Sequence, residues 1–220
     1  MKGSWQAMHE VLHQLGRVRL VPKVVMDSAA HADRFGDALV AGGLPVAEVT
    51  FRTDAAEYSI QRLAKRGDLL VGAGTVLTKE QADRAIDAGA AFIVAPGTNP
   101  PVIDHCSLRN VPIVPGVATP TDIDLSMSFG VITVKFFPAE CLGGTSTLKA
   151  YAGPYAGVTF MPTGGITPEK LPEYLRLPFV LACGGSWLAP REALANGEFT
   201  TIRARIEQAR QRLQHIPCGT

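Results

Sequence analysis

The sequence contains no run of about 18 apolar residues, so no transmembrane helix is expected. Its opening, MKGSWQAMHEVLHQLG, places His9, Glu10 and His13 where a secretory leader needs an apolar stretch. An excess of one charge is also missing. The 21 Lys+Arg face 20 Asp+Glu, which excludes a general nucleic-acid binder and a polybasic membrane-surface protein. Cysteine is sparse: Cys106, Cys141, Cys183 and Cys218 lie far apart and form no CxxC pair. They read as free thiols of a cytoplasmic protein rather than a disulfide framework. Several catalytic signatures are absent too. There is no P-loop and no Gly-x-Ser-x-Gly element, and GAGTVL (72–77) lacks the third glycine of a dinucleotide fingerprint.

Apolar residues are plentiful. Hydrophobic residues make up 46% and charged residues 19%, which excludes a disordered chain and supplies a substantial core for 220 residues. From about residue 18 one pattern recurs: a short apolar run, then a helix-like stretch rich in Ala and charge. The strand-like runs are VRLVPKVVM (18–26), VAEVTFR (46–52), LLVGAGT (69–75), FIVAPG (92–97), PIVPGV (112–117), ITVKFFP (132–138), TFMPTGG (159–165) and FVLACGG (179–185). Cap-like Thr78, Thr119 and Thr167 mark helix starts, and Gly42, Gly67, Gly89 and Gly130 mark ends. Alternating strands and helices predict a parallel sheet covered on both faces. Eight such units in about 200 residues predict a single α/β domain, a (β/α)8 TIM barrel near its lower size limit. A doubly wound open sheet is the structural rival. Residues 1–17 read as an extra N-terminal helix packing on the barrel, 18–210 as the barrel and 211–220 as a C-terminal tail.

Charge inside strands singles out the candidate chemistry. Side chains alternate along a strand, so Glu48, Thr50 and Arg52 share one face of VAEVTFR, while Val49 and Phe51 share the other. In ITVKFFP, Thr133, Lys135 and Phe137 share a face, and Ile132, Val134 and Phe136 oppose it. The apolar faces should pack on helices and the polar faces point inward, where side chains near the C-terminal rim meet substrate. An inward lysine is costly unless paired or neutral. At the ordinary pKa of about 10.4, roughly one lysine in 2500 is neutral at pH 7. A Schiff-base nucleophile needs that neutral form and sits in a desolvated place. Lys135 fits this role, and an internal ion pair with Glu48 is the structural alternative. Lys23 competes from the first strand, where a snorkelling or ion-paired role is expected.

Two glycine loops give a phosphate signal. Gly164-Gly165 closes one strand and leads to Thr167-Pro168-Glu169 as a helix start; Gly184-Gly185-Ser186 closes the last strand. Glycines let backbone approach an anion, and these loops form the recurring phosphate site of such barrels. Ordinary glycine turns are the alternative. His9-Glu10-Val11-Leu12-His13 matches H-E-x-x-H, yet no third metal ligand follows and the helix precedes the first strand. No metal and no cofactor are therefore expected.

The stretches LVAGGLPVAEVTFRT (39–53), VGAGTVLT (71–78), VPGVATPTDI (114–123), VKFFPAE (134–140), FMPTGGITP (160–168) and GGSW (184–187) resemble one family. This is the class I 2-keto-3-deoxy-6-phosphogluconate and 4-hydroxy-2-oxoglutarate aldolase family, and the similarity spans about residues 20–200. The resemblance implies a homotrimer of barrels acting on small 2-keto acids without metal, nucleic acid or membrane. It makes Lys135 the Schiff-base lysine and Glu48 the general acid/base. It puts Arg52 and Thr75 at the pyruvyl carboxylate end, and Pro96, Phe137 and Thr163 in the pocket lining. Gly164, Gly165, Gly185 and Ser186 fall at the phosphate end. Lys23 stands where the resemblance leads one to expect an apolar residue. The rivals are the phosphogalactonate-specific relative, a non-covalent isomerase or synthase barrel, and a non-catalytic sugar-phosphate sensor.

Overall fold

The computed structural model describes residues 2–216, with side chains from Met8 onward. Cys218 and the end of the tail lie outside the described residues. Among the described residues every strand pairing is parallel. The strands are β1 (Leu20–Val24), β2 (Val46–Thr50), β3 (Leu70–Gly74), β4 (Phe92–Val94), β5 (Ile113–Val114), β6 (Gly116–Val117), β7 (Thr133–Phe136), β8 (Thr159–Phe160) and β9 (Cys183–Gly185). One curled sheet runs β5-β4-β3-β2-β1-β9 and a second runs β6-β7-β8. The single run 112–117 is thus split in two at Pro115. Proline has no N–H for the ladder, while its carbonyl accepts from Lys135 N at 2.8 Å.

The helices are α1 (Lys2–Val18), α2 (Ala32–Ala41), α3 (Ala56–Lys65), α4 (Lys79–Asp87), α5 (Pro100–Leu108), α6 (Pro120–Ser128), α7 (Gly144–Ala152), α8 (Leu171–Leu175), α9 (Arg191–Ala195) and α10 (Phe199–Gln214). None of the described helices is long and apolar enough to cross a membrane. α10 continues to Gln214, past the residue-210 limit drawn from the sequence. Two threonine caps form as expected. Thr78 Oγ1 accepts from Gln81 N at 3.2 Å, and Thr119 forms a capping box with Asp122. The third does not. Residues 168–170 form a turn, and α8 begins only at Leu171.

Burial follows the parallel-sheet logic: all five residues of β2, VAEVT, are buried. Large apolar side chains such as Phe35, Phe92, Phe136 and Phe160 fill the layers around the strands. Ile132, expected to pack on a helix, is instead 50% exposed, because β7 starts one residue later at Thr133.

Candidate active site

Glu48 on β2 and Lys135 on β7 meet inside the curled sheet. Lys135 Nζ lies 3.6 Å from Glu48 Oε1, with side chains 2% and 0% exposed. Small residues make the space. A Cβ on Gly74, the next inward position on β3, would collide with Glu48 Oε1, and one on Gly72 would collide with the Phe92 ring. Gly116 is the register partner of Lys135, and a Cβ there would collide with the Pro96 carbonyl. Glycine at these positions lets a carboxylate and an ammonium share a packed interior.

The pair is poorly satisfied. Both carboxylate oxygens of Glu48 are buried without a hydrogen-bond partner. Buried polar groups are nearly always bonded, and an unpaired one costs about 1–3 kcal/mol, more when charged. Such an arrangement is a poor structural brace and a good proton acceptor and donor for an incoming molecule. Lys135 Nζ also sits 5.1 Å from the centre of the Phe137 ring. A cation over an aromatic face is attracted to it, and the ring screens the amine from water.

The other expected residues lie at or just past the C-terminal ends of the strands. Thr163 is 3% exposed; its N–H donates to Phe136 O at 3.0 Å, and it forms a bridge with Gly184. A Cβ on Gly184 would collide with Thr163 Oγ1, so this glycine admits the threonine hydroxyl. Arg52 lies just past β2 and is exposed; Thr75, just past β3, is half-buried with φ +58. Pro96 and Phe137 are half-buried beyond β4 and β7. Gly164 and Gly165 adopt φ +107 and +80, values that favour glycine. Gly185 ends β9, and exposed Ser186 opens a 3₁₀ turn, Ser186–Leu188. The helix start predicted at Thr167 is absent, so the first glycine loop offers turn N–H groups, without a helix N-terminus at Pro168.

Two features escaped the sequence reading. Lys23 is the register partner of Glu48 across β1 and β2. Glu140, just after β7, accepts from Tyr174 Oη at 2.5 Å and pairs with Lys170. Its backbone N–H donates to Gly164 O at 3.1 Å, which fixes the glycine loop. Far from this site, the H-E-x-x-H pattern on α1 is engaged within its own helix: Arg17 binds Glu10 at 2.8 Å and contacts His13 at 3.0 Å. The described residues contain no metal-binding group of three or more His, Cys, Asp or Glu.

Residues 11–205 match the family model for KDPG and KHG aldolase. The chain is 47% identical over 205 residues to a 2-dehydro-3-deoxy-phosphogluconate aldolase of Treponema pallidum, covering 93% of this chain and 98% of that protein. It is 41% identical over 207 residues to a KHG/KDPG aldolase of Escherichia coli, covering 94% and 96%. A crystal structure of KDPG aldolase from Legionella pneumophila, with pyruvate captured at low pH as a covalent carbinolamine intermediate, superposes with a TM-score of 0.85. Its sequence is 36% identical, and the match covers 89% of this chain and 97% of that one. With a family model spanning most of its length and relatives this similar end to end, the chain belongs to the KDPG and KHG aldolase family.

Proposed function

We propose that this protein is a class I aldolase cleaving 2-dehydro-3-deoxy-6-phosphogluconate to pyruvate and glyceraldehyde 3-phosphate. It also cleaves 4-hydroxy-2-oxoglutarate to pyruvate and glyoxylate. The observation that carries this reading is the buried Lys135–Glu48 pair, 3.6 Å apart with an unsatisfied carboxylate. The names of the relatives support the substrate, and the carbinolamine of the Legionella structure supports a covalent route.

Neutral Lys135 Nζ attacks the C2 ketone. The carbonyl π pair moves to oxygen, and Glu48, as a carboxylate, carries a proton from the new ammonium nitrogen to that oxygen. Glu48 then relays one proton from water to the carbinolamine hydroxyl, which leaves as water while the nitrogen lone pair forms the protonated imine; the final hydrolysis returns that proton. Glu48, directly or through a water, then removes the C4 hydroxyl proton. That O–H pair becomes the aldehyde carbonyl, and the C3–C4 pair flows into the protonated imine, an electron sink. Glyceraldehyde 3-phosphate leaves. The enamine takes a proton at C3, and water hydrolyses the imine to pyruvate and free Lys135. One carboxylate serves throughout because its protonation inverts at each step. Arg52 offers a planar fork to the substrate carboxylate, with Thr75 beside it. Pro96, Phe137 and Thr163 line the pocket. Gly164, Gly165, Gly185 and Ser186 receive the phosphate.

We read the two sheets as one closed (β/α)8 barrel, with β5 and β6 as halves of a single strand. The bridges Phe160↔Val180 and Thr163↔Gly184, which connect the β8 and β9 segments, support closure. We read the assembly as a cytoplasmic homotrimer. Exposed Leu125, Met127, Phe129 and Ile132, from α6 to the start of β7, offer an apolar face for self-association. The described cysteines are free thiols, in keeping with a reducing compartment.

The test is turnover of the phosphorylated six-carbon acid in EDTA, with pyruvate and glyceraldehyde 3-phosphate each assayed enzymatically. Equal release of the two is expected. Consumption of substrate without pyruvate would contradict the reading.

A further inference from the structure

Lys23 is the charge that the proposed mechanism leaves unused. On β1 it is half-buried and in direct register with Glu48 on the neighbouring strand. Adjacent strands lie about 4.8 Å apart, and register partners project to the same side of the sheet. Lys23 therefore shares the interior face with Glu48. The charged groups acting on it are Glu48 from β2, Lys135 from β7 and Arg52 from the segment after β2. On its other flank β9 brings no charge: Cys183 is the register partner of Leu20, on the opposite face, and its buried thiol is pushed up and stays neutral. The 3₁₀ turn Ser186–Leu188 adds no charge, and α1 leads into β1 through Arg19, whose guanidinium donates to Ile216 O and Leu175 O.

The electrostatics of the reaction raise a specific need. While Lys135 is protonated, it is the countercharge of Glu48. To attack a ketone, Lys135 must be neutral, and Glu48 then keeps a buried negative charge with both oxygens unbonded. An uncompensated buried carboxylate is costly and reverts to its neutral form. A second cation on the same face removes that difficulty.

We propose that Lys23 is a positioning residue: its ammonium keeps Glu48 ionised while Lys135 is neutral, and by like-charge repulsion it favours release of the Lys135 proton. Burial lowers the pKa of Lys23 itself, with Glu48 opposing and Lys135 and Arg52 reinforcing that direction. The carboxylate opposite works against that loss of charge. The proposal rests on Lys135 as nucleophile and on Glu48 as its proton partner.

The experiment is the rate of covalent trapping by pyruvate and cyanoborohydride as a function of pH, with the labelled peptide mapped. Lys23→Met removes the charge at nearly constant length, and Lys23→Gln serves if that variant fails to fold. Loss of a nearby cation makes an ammonium hold its proton more tightly and a carboxylate regain one sooner. Both effects move the acid limb of the profile upward. A move of about one pH unit is expected, or about tenfold slower trapping on the limb. Lys23→Arg should return the limb to its wild-type position, which a role in packing alone would not require. An unmoved limb in the neutral variants, whatever their overall rate, overturns the proposal. Lys135→Met checks the reading beneath it and should give no adduct. An adduct on Lys23 in that variant would overturn both.

Discussion

Two glutamate–lysine pairs stand at the same end of the sheet and differ in nearly every physical respect. Glu140 pairs with Lys170 and accepts from Tyr174, with side chains 22% and 49% exposed for the acid and the lysine. Its carboxyl is held below the usual range, first by Lys170 and then by Tyr174. The Tyr174 phenol is pushed up by burial and by that carboxylate. Each partner has what it needs, while the backbone N–H of Glu140, rather than its carboxylate, holds Gly164 O. Glu48 and Lys135 are 0% and 2% exposed, 3.6 Å apart, and no protein group hydrogen-bonds the carboxylate. A satisfied pair near water holds a shape; an unsatisfied pair out of water is poised to exchange a proton with something else. The contrast separates scaffold from chemistry with the same two residue types.

Variants on the buried side should give the largest effects. Lys135→Met should abolish cleavage, at a cost in stability because Glu48 loses its buried countercharge. Residual cleavage above a hundredth of wild type would make the two pairs equivalent in kind. Glu48→Gln should keep the fold and some imine formation while losing about 10²–10⁴ in turnover, the range of a positioned acid/base. Turnover within a few-fold of wild type would remove Glu48 from the chemistry.

The phosphate end should respond more mildly and selectively. Ser186→Ala removes one hydroxyl that we place on the phosphate. A hydrogen bond to a charged group is worth about 1.5–3 kcal/mol, so kcat/KM for the phosphorylated acid should fall about tenfold or more. Cleavage of 4-hydroxy-2-oxoglutarate, which has no phosphate, should barely change. An equal loss on both substrates would move Ser186 out of the phosphate site.

Glu140→Gln should touch stability alone, and least of all. Loss of about 1 kcal/mol lowers Tm by about 2–4 °C in a domain of this size. Because the folded-state carboxyl is depressed, the ionised form stabilises the fold above its unfolded pKa, about 4.3. That contribution fades as pH falls through the lower folded value, so wild type and variant should converge in acid. Melting curves at pH 7 and pH 3 check this, and a gap that widens in acid would contradict it.

Much of this was legible in the sequence because charge is conspicuous in a β-branched run. Glu48 in VAEVTFR and Lys135 in ITVKFFP declare themselves, and the alternation of strands places both on inward faces. Thr78 and Thr119 were legible as caps because their bonds are local. Thr167 carries the same signal and fails, since the chain turns over 168–170 before α8 begins. The Glu140–Lys170–Tyr174 network was hidden because its members are 30 and 34 residues apart and meet only once β7 lies beside β8. Lys23 was visible as a charge, but its partner depends on register, which periodicity does not give.

The central claim is that the unsatisfied pair, and Lys135 within it, performs the chemistry. The most direct measurement is reduction by borohydride in the presence of pyruvate, followed by peptide mapping. The account predicts inactivation and one stable three-carbon adduct on Lys135. An adduct on Lys23, or full activity with no adduct, would contradict it.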